Sequence, residues 1–127
     1  MSTRSTPFAP QEWFHCYNRG VEKRIIFEND FDYQRFLKLL YLTNSTNSIH
    51  LSDLHSRSLP EVLQIPRGEP LAAIGAFCLM PNHYHLLLKE IHKGGISLFM
   101  QKLATAYTMY FNIKNKRTGG LFAGTFK

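Results

Sequence analysis

Nowhere does this sequence run for the ~20 consecutive apolar residues that a membrane-crossing helix needs. Met1 to Pro10 also lacks the apolar core of a secretory leader. A cytoplasmic chain with no membrane partner is therefore expected. Cysteine is nearly absent. Cys16 and Cys78 are the two present, and they lack the C-x-x-C spacing of a zinc or redox motif. Both read as reduced, small buried hydrophobes within strands. Acidic residues are few: 9 Asp and Glu stand against 15 Lys and Arg, a net charge of +6 in 127 residues. That excess points to polyanionic partners, nucleic acid first, although a basic surface also serves plain solubility. What the chain does not lack is apolar content. With 44% hydrophobic and 19% charged residues, disorder is excluded, and the length fits one domain over residues 1–127.

Residues 1–11, with Ser, Thr and two prolines, read as a mobile lead-in. Trp13 to Asn18 is an aromatic run suited to a first strand, broken at Arg19-Gly20. A helix follows. Asn29 is its N-cap, Asp32 stands in the capping-box position, and Tyr33, Phe36, Leu37, Leu40 and Tyr41 repeat at helical spacing. Asp30 and Asp32 suit the positive end of the helix dipole. Residues 43–70 lose all periodicity and are rich in Asn, Ser and Pro; they read as a loop insertion, with a helical turn within Leu59 to Ile65. Leu71 to Met80 and Tyr84 to Glu90 are apolar runs joined by Pro81-Asn82, an antiparallel hairpin. A helix across Pro81 would cost about 3 kcal/mol. A second helix is predicted from near Ser97 through Phe99, Leu103, Tyr107 and Phe111, stopped by Gly119-Gly120, with Leu121 to Lys127 extended after it. The order is β-α-β-β-α-β, so the expected fold is α+β, a ferredoxin-like split β-α-β with an antiparallel sheet and both helices on one face.

Within the hairpin stands His83-Tyr84-His85. On a strand, residues i and i+2 share a face and lie about 6.6–6.8 Å apart, close enough for two imidazoles to lean onto one metal ion. On a helix they would diverge by about 200°. The hairpin therefore makes His83 and His85 a candidate metal pair. Such a pair is also common as plain structure, and a closed zinc site would need further ligands. Nearby Asn82, Glu90 and His92 are the local candidates. Two imidazoles completed by oxygen ligands and water suit a catalytic divalent ion better.

Pro81-Asn82-His83-Tyr84-His85-Leu86-Leu87 resembles the HUH motif of single-tyrosine transposases, more narrowly the insertion-sequence-200-type and REP-associated tyrosine transposase group. Four further pieces resemble that group in the same order: Tyr17-Asn18-Arg19-Gly20, Ile26-Phe27 with Asp32-Tyr33-xx-Phe36-Leu37, Ala106-Tyr107-xx-Tyr110-Phe111-Asn112, and Gly120-Leu121-Phe122-xx-Thr125-Phe126-Lys127. The resemblance implies metal-dependent cleavage and rejoining of single-stranded DNA through a 5′-phosphotyrosine link. His83 and His85 would hold Mg2+ or Mn2+, and the partners would be single-stranded or hairpin DNA and a second copy of the chain, a homodimer. In that group the attacking tyrosine and a third metal ligand lie on a helix after the segment that here ends at Lys127. The expectation is a chain that lacks this catalytic helix and does not cleave DNA alone. Tyr110 and Tyr107 are the internal candidates for a substitute nucleophile, though both fit helix packing.

Arg19, Lys23 and Arg24 cluster after the first strand, and Lys114, Lys116 and Arg117 after the second helix. With Lys127, they are candidate phosphate contacts. Tyr17, Tyr84 and Phe122 are candidate base-stacking residues. Two other readings stay open: a non-catalytic nucleic-acid-binding module of the same fold, and a small metal-dependent hydrolase.

Overall fold

A computed structural model describes residues 11–48 and 54–127. The lead-in expected over 1–11 lies, Gln11 apart, outside the described residues, as do residues 49–53 of the 43–70 stretch. The elements are β1 (Trp13–Arg19), α1 (Asp30–Leu42), α2 (Leu59–Val62), β2 (Ala72–Met80), β3 (His83–Glu90) and α3 (Gly95–Asn115). The three strands form an antiparallel sheet in the order β1-β3-β2. The final segment takes the place beside β1 that a fourth strand of the split β-α-β would occupy, but it stays irregular. Lys127 exchanges backbone hydrogen bonds of 3.0 and 2.8 Å with Tyr17, and Ala123 N donates to Arg19 O at 2.8 Å. Gly124, at φ +80°, kinks the chain between these pairings, a conformation that glycine adopts without strain. The buried Asn18 secures the kink by donating from Nδ2 to the Gly124 carbonyl at 3.1 Å.

Strand alternation sets the two faces of the sheet. Cys16, Tyr84, Leu86 and Leu88 are buried on the helix side. The Phe36 ring of α1 lies 5.0 Å from that of Tyr84 and 5.3 Å from that of Tyr107 on α3. One aromatic cluster thus joins both long helices to the central strand, as the α+β reading requires.

Several local expectations are corrected by packing. Asn29 does cap α1, its Oδ1 accepting from Asp32 N at 3.1 Å. Asp32 does stand in the first turn, as expected. It is fully buried and accepts from Glu28 N at 2.8 Å, from the Tyr110 hydroxyl at 2.6 Å, and from Lys114 Nζ at 2.6 and 2.7 Å. Helix α3 begins at Gly95 rather than near Ser97, with its first residue set against the backbone just before β2. A Cβ on Gly95 would lie 2.1 Å from the Leu71 carbonyl oxygen. It ends at Asn115, with Lys116 as C-cap in the left-handed region at φ 51°, before the two glycines are reached. The 43–70 stretch begins not as a loose insertion but as an anchor. Buried Asn44 accepts from Leu71 N and Ala72 N at 2.8 and 3.0 Å and donates to Ala72 O at 2.7 Å, so it clamps the start of β2. The expected helical turn is α2, capped by a Ser58–Glu61 capping box.

Cys78 also departs from expectation. Cys16 is buried, whereas Cys78 is exposed because β2 is an outer strand of the described sheet and, among the described residues, no helix covers the face Cys78 points to. A thiol reagent such as Ellman's is therefore expected to titrate one cysteine rapidly in the folded chain and both in denaturant. Rapid loss of both thiols under native conditions would contradict this burial.

Candidate metal centre

Among the described residues, no helix covers the sheet face opposite the core. His83 and His85 lie on that face because Tyr84 between them points inward. Register then sets their neighbours: Tyr17 and Cys78 flank His85, and Arg19 and Met80 flank His83. The turn that presents the pair is held from below. Gly20 N donates to Asn82 O at 2.9 Å, and Ile26 N and Phe27 N donate to Pro81 O at 2.8 and 3.1 Å. This connector has room only for glycine at its start, since a Cβ on Gly20 would come 2.2 Å from the Arg24 carbonyl oxygen.

Each histidine is bonded at Nδ1. Asn82 Oδ1 lies 2.7 Å from His83 Nδ1. An amide oxygen can only accept, so His83 carries its proton there and keeps the Nε2 lone pair open. His85 Nδ1 lies 2.7 Å from Nε2 of His15, a β1 residue. The His83 and His85 rings are 5.0 Å apart and perpendicular. Burial, followed by the electrostatic influence of the neighbouring His15 and His83, holds the His85 imidazole below its ordinary pKa, which favours the neutral form that ligates metals. The sequence reading missed His15. It lies 70 residues before His85, and only strand register brings the two together.

Among the described residues, no group of three or more His, Cys, Asp or Glu side chains is disposed to hold a metal ion. Glu90 and His92 stand at the far end of β3, where Glu90 Oε1 accepts from Ile96 N at 3.3 Å and His92 Nε2 lies 3.0 Å from Glu69 Oε2. The donor set is thus two imidazoles braced at Nδ1 by outer partners, the arrangement usual for metal-ligating histidine. Two imidazoles alone would leave the remaining positions of a divalent ion to oxygen donors from outside these side chains.

Tyr107 and Tyr110 lie in the helix layer, across the sheet from this pair. The Tyr107 hydroxyl donates to the Ile26 carbonyl at 2.5 Å and that of Tyr110 to Asp32 at 2.6 Å. Burial and then Asp32 push both phenols far above their ordinary pKa. Neither hydroxyl is presented to the histidines as a nucleophile. Of the expected stacking residues, Tyr84 is buried and Phe122 packs edge-on against it at 5.7 Å. Tyr17 remains on the open face, its ring stacked 4.8 Å from His15.

The basic residues divide similarly. Arg19 stands beside His83, and the backbone of Lys127 is tied to Tyr17. Arg24 and Arg117 line one open groove of about 520 Å3 with Val21, Glu22 and Gly120, so the two sequence clusters converge in space. Arg117 is partly committed, donating to Asn112 Oδ1 at 2.6 Å and Gly120 O at 3.1 Å. Lys23 and Lys116 are exposed, each at positive φ. Lys114 is committed to ion pairs with Glu28 and Asp32, at 3.0 and 2.6 Å.

A family model described as "Transposase IS200 like" matches residues 33–126, which include the hairpin and α3. No curated protein and no solved structure matches this chain.

Proposed function

Because the chain belongs to the IS200-like family of transposases, with DNA as the implied partner, we propose that it takes part in metal-dependent cleavage and rejoining of single-stranded DNA through a 5′-phosphotyrosine link. The observation that carries this reading is the placement of His83 and His85 side by side on the open face, each already bonded at Nδ1. In the proposed reaction these residues hold Mg2+ or Mn2+. When bound, the ion would polarise the scissile phosphate and stabilise the charge that develops on it. The chain's own contributions are fourfold. Asn82 orients His83. Arg19, next in register to His83, offers a guanidinium to the phosphate backbone. Lys127 extends that positive edge along β1, with Arg24 and Arg117 in the neighbouring groove. Tyr17 offers a ring face to an unpaired base. The attacking hydroxyl has to reach this face from a residue other than Tyr107 or Tyr110. The motif pieces that include Tyr17 to Gly20 and Gly120 to Lys127 support assignment to the REP-associated group. A homodimer has in β2, the outer strand of the described sheet, an edge available for pairing.

This reading is tested by binding of a fluorescent single-stranded or hairpin DNA at several salt concentrations. Arg19→Ala is expected to weaken binding about 3- to 10-fold and to reduce the salt slope by about one contact. Lys114→Ala, which removes an ammonium already neutralised by Asp32 and Glu28, is expected to leave the slope unchanged. Equal effects at the two positions would remove the open face as the DNA surface. Full binding with no influence of Mn2+ on any DNA reaction would favour a non-catalytic module.

A further inference from the structure

His15 lies outside the matched residues 33–126 and outside the HUH motif, yet it makes the shortest polar contact to the histidine pair from another strand. Its direct register partner on β3 is Leu87, and that of Tyr17 is His85. His15 and His85 are therefore diagonal neighbours on one face, a separation that aromatic side chains bridge. Their rings lie 4.9 Å apart at an interplanar angle of 18°, and Nε2 of His15 is 2.7 Å from Nδ1 of His85. Tyr17 stacks on His15 at 4.8 Å, which limits the orientations open to the His15 ring.

We propose that His15 is a positioning residue for the metal pair: its Nε2 accepts the Nδ1–H of His85 and fixes His85 in the tautomer whose Nε2 lone pair faces out. The inference rests on the reading of His83 and His85 as metal ligands. Which ring nitrogen of a histidine is free to ligate is set by the hydrogen bond made by the other. Asn82 does this for His83 from within the turn, and His15 does it for His85 from the neighbouring strand. The two ligands then carry matching tautomers through unlike partners, one local and one 70 residues away. His15 is not a third ligand in this arrangement, because the nitrogen nearest the pair is used in the bond to His85.

The test uses the whole chain with 15N-labelled histidine. Nitrogen NMR without metal reports the His85 tautomer, and electron paramagnetic resonance reports Mn2+ affinity. His15→Phe keeps a ring to stack on Tyr17 but loses the acceptor, whereas His15→Gln offers an amide oxygen. Wild-type His85 is expected to be protonated at Nδ1. In His15→Phe that signal should shift toward Nε2–H and Mn2+ affinity should fall about 10- to 100-fold, with the melting temperature unchanged. His15→Gln should recover most of both. A wild-type His85 protonated at Nε2 would overturn the proposal, as would an unaltered tautomer in His15→Phe. Lost affinity without a change of tautomer would make His15 a direct ligand and would also overturn it. If wild-type chain binds no Mn2+, the metal reading fails, while the tautomer measurement still decides what His15 does to His85. The wild-type spectrum needs no variant to fold.

Discussion

Replacing either His83 or His85 with alanine is expected to lower Mn2+ affinity by more than about 100-fold, beyond the 10- to 100-fold range for outer partners. Stability should change by no more than about 0.5 kcal/mol, the usual range for surface substitutions. The reason is strand alternation. Both rings project onto the uncovered face, and their removal opens no cavity in the core. Tyr84, the residue between them, is 1% exposed and packs against Phe36 and Phe122. Tyr84→Ala is therefore expected to destabilise the fold by about 3–5 kcal/mol through the cavity it leaves. Three adjacent positions thus separate binding from folding. Titration of Mn2+ by electron paramagnetic resonance and thermal melting of the same samples would show it. Unchanged Mn2+ binding in both histidine variants would remove the pair from the metal site. A large loss of stability in either would mean that the face is covered.

Asp32→Ala is the second large effect, expected to cost about 3 kcal/mol, the low end for breaking a buried ion pair. That corresponds to a melting temperature lower by roughly 10 °C for a domain of this size. Asp32 joins both long helices. It is fully buried, and its removal would leave Glu28 N, the Tyr110 hydroxyl and Lys114 without their common acceptor. Lys114 retains access to water and to Glu28, which keeps the cost at the low end. Asp32→Asn should fall between wild type and alanine, since one oxygen still accepts but the charge is lost.

The same contacts set an acid limit. Burial opposes ionisation of Asp32, but the hydrogen bonds from Lys114, Tyr110 and Glu28 N outweigh it, so the carboxyl is held below its ordinary value of 3.8. A depressed folded pKa contributes stability above the unfolded value that is lost as pH falls through the folded one. The loss therefore belongs below about pH 4. For Lys114, burial is outweighed by Asp32 and Glu28, and the amine is raised above 10.5. Its share is complete below that value and is lost as pH rises through the folded pKa. Denaturant titrations from pH 6 down to pH 2 should show Asp32→Asn losing less stability than wild type over the acid range. Parallel curves would show that the carboxylate contributes no acid-linked stability.

Much of this molecule follows from short-range pattern. Period-two alternation with a proline turn places His83 and His85 on one face of a strand, because side-chain direction in a hairpin is set locally. The helical stripe from Tyr33 to Tyr41 and the Asn29 cap follow for the same reason. The element order suffices for an α+β split β-α-β, since short connections leave few other topologies. The net charge of +6 agrees with a polyanionic partner without requiring one.

Tertiary structure decided what depends on which strands and helices meet. His15 joined the site only through the β1–β3 register, as nothing in its local sequence distinguishes it from a surface histidine. Asp32 was read from the helix dipole and Lys114 as a phosphate contact, yet the buried carboxylate and the partly exposed amine form one ion pair because α1 and α3 pack together. Cys78 is exposed because β2 lies outermost, a position that its apolar sequence does not encode. Lys127 and Tyr17 meet because the last segment lies along β1. Local pattern thus placed two candidate ligating side chains on one face, and strand register, a property of residues far apart in sequence, supplied the contact between His15 and His85.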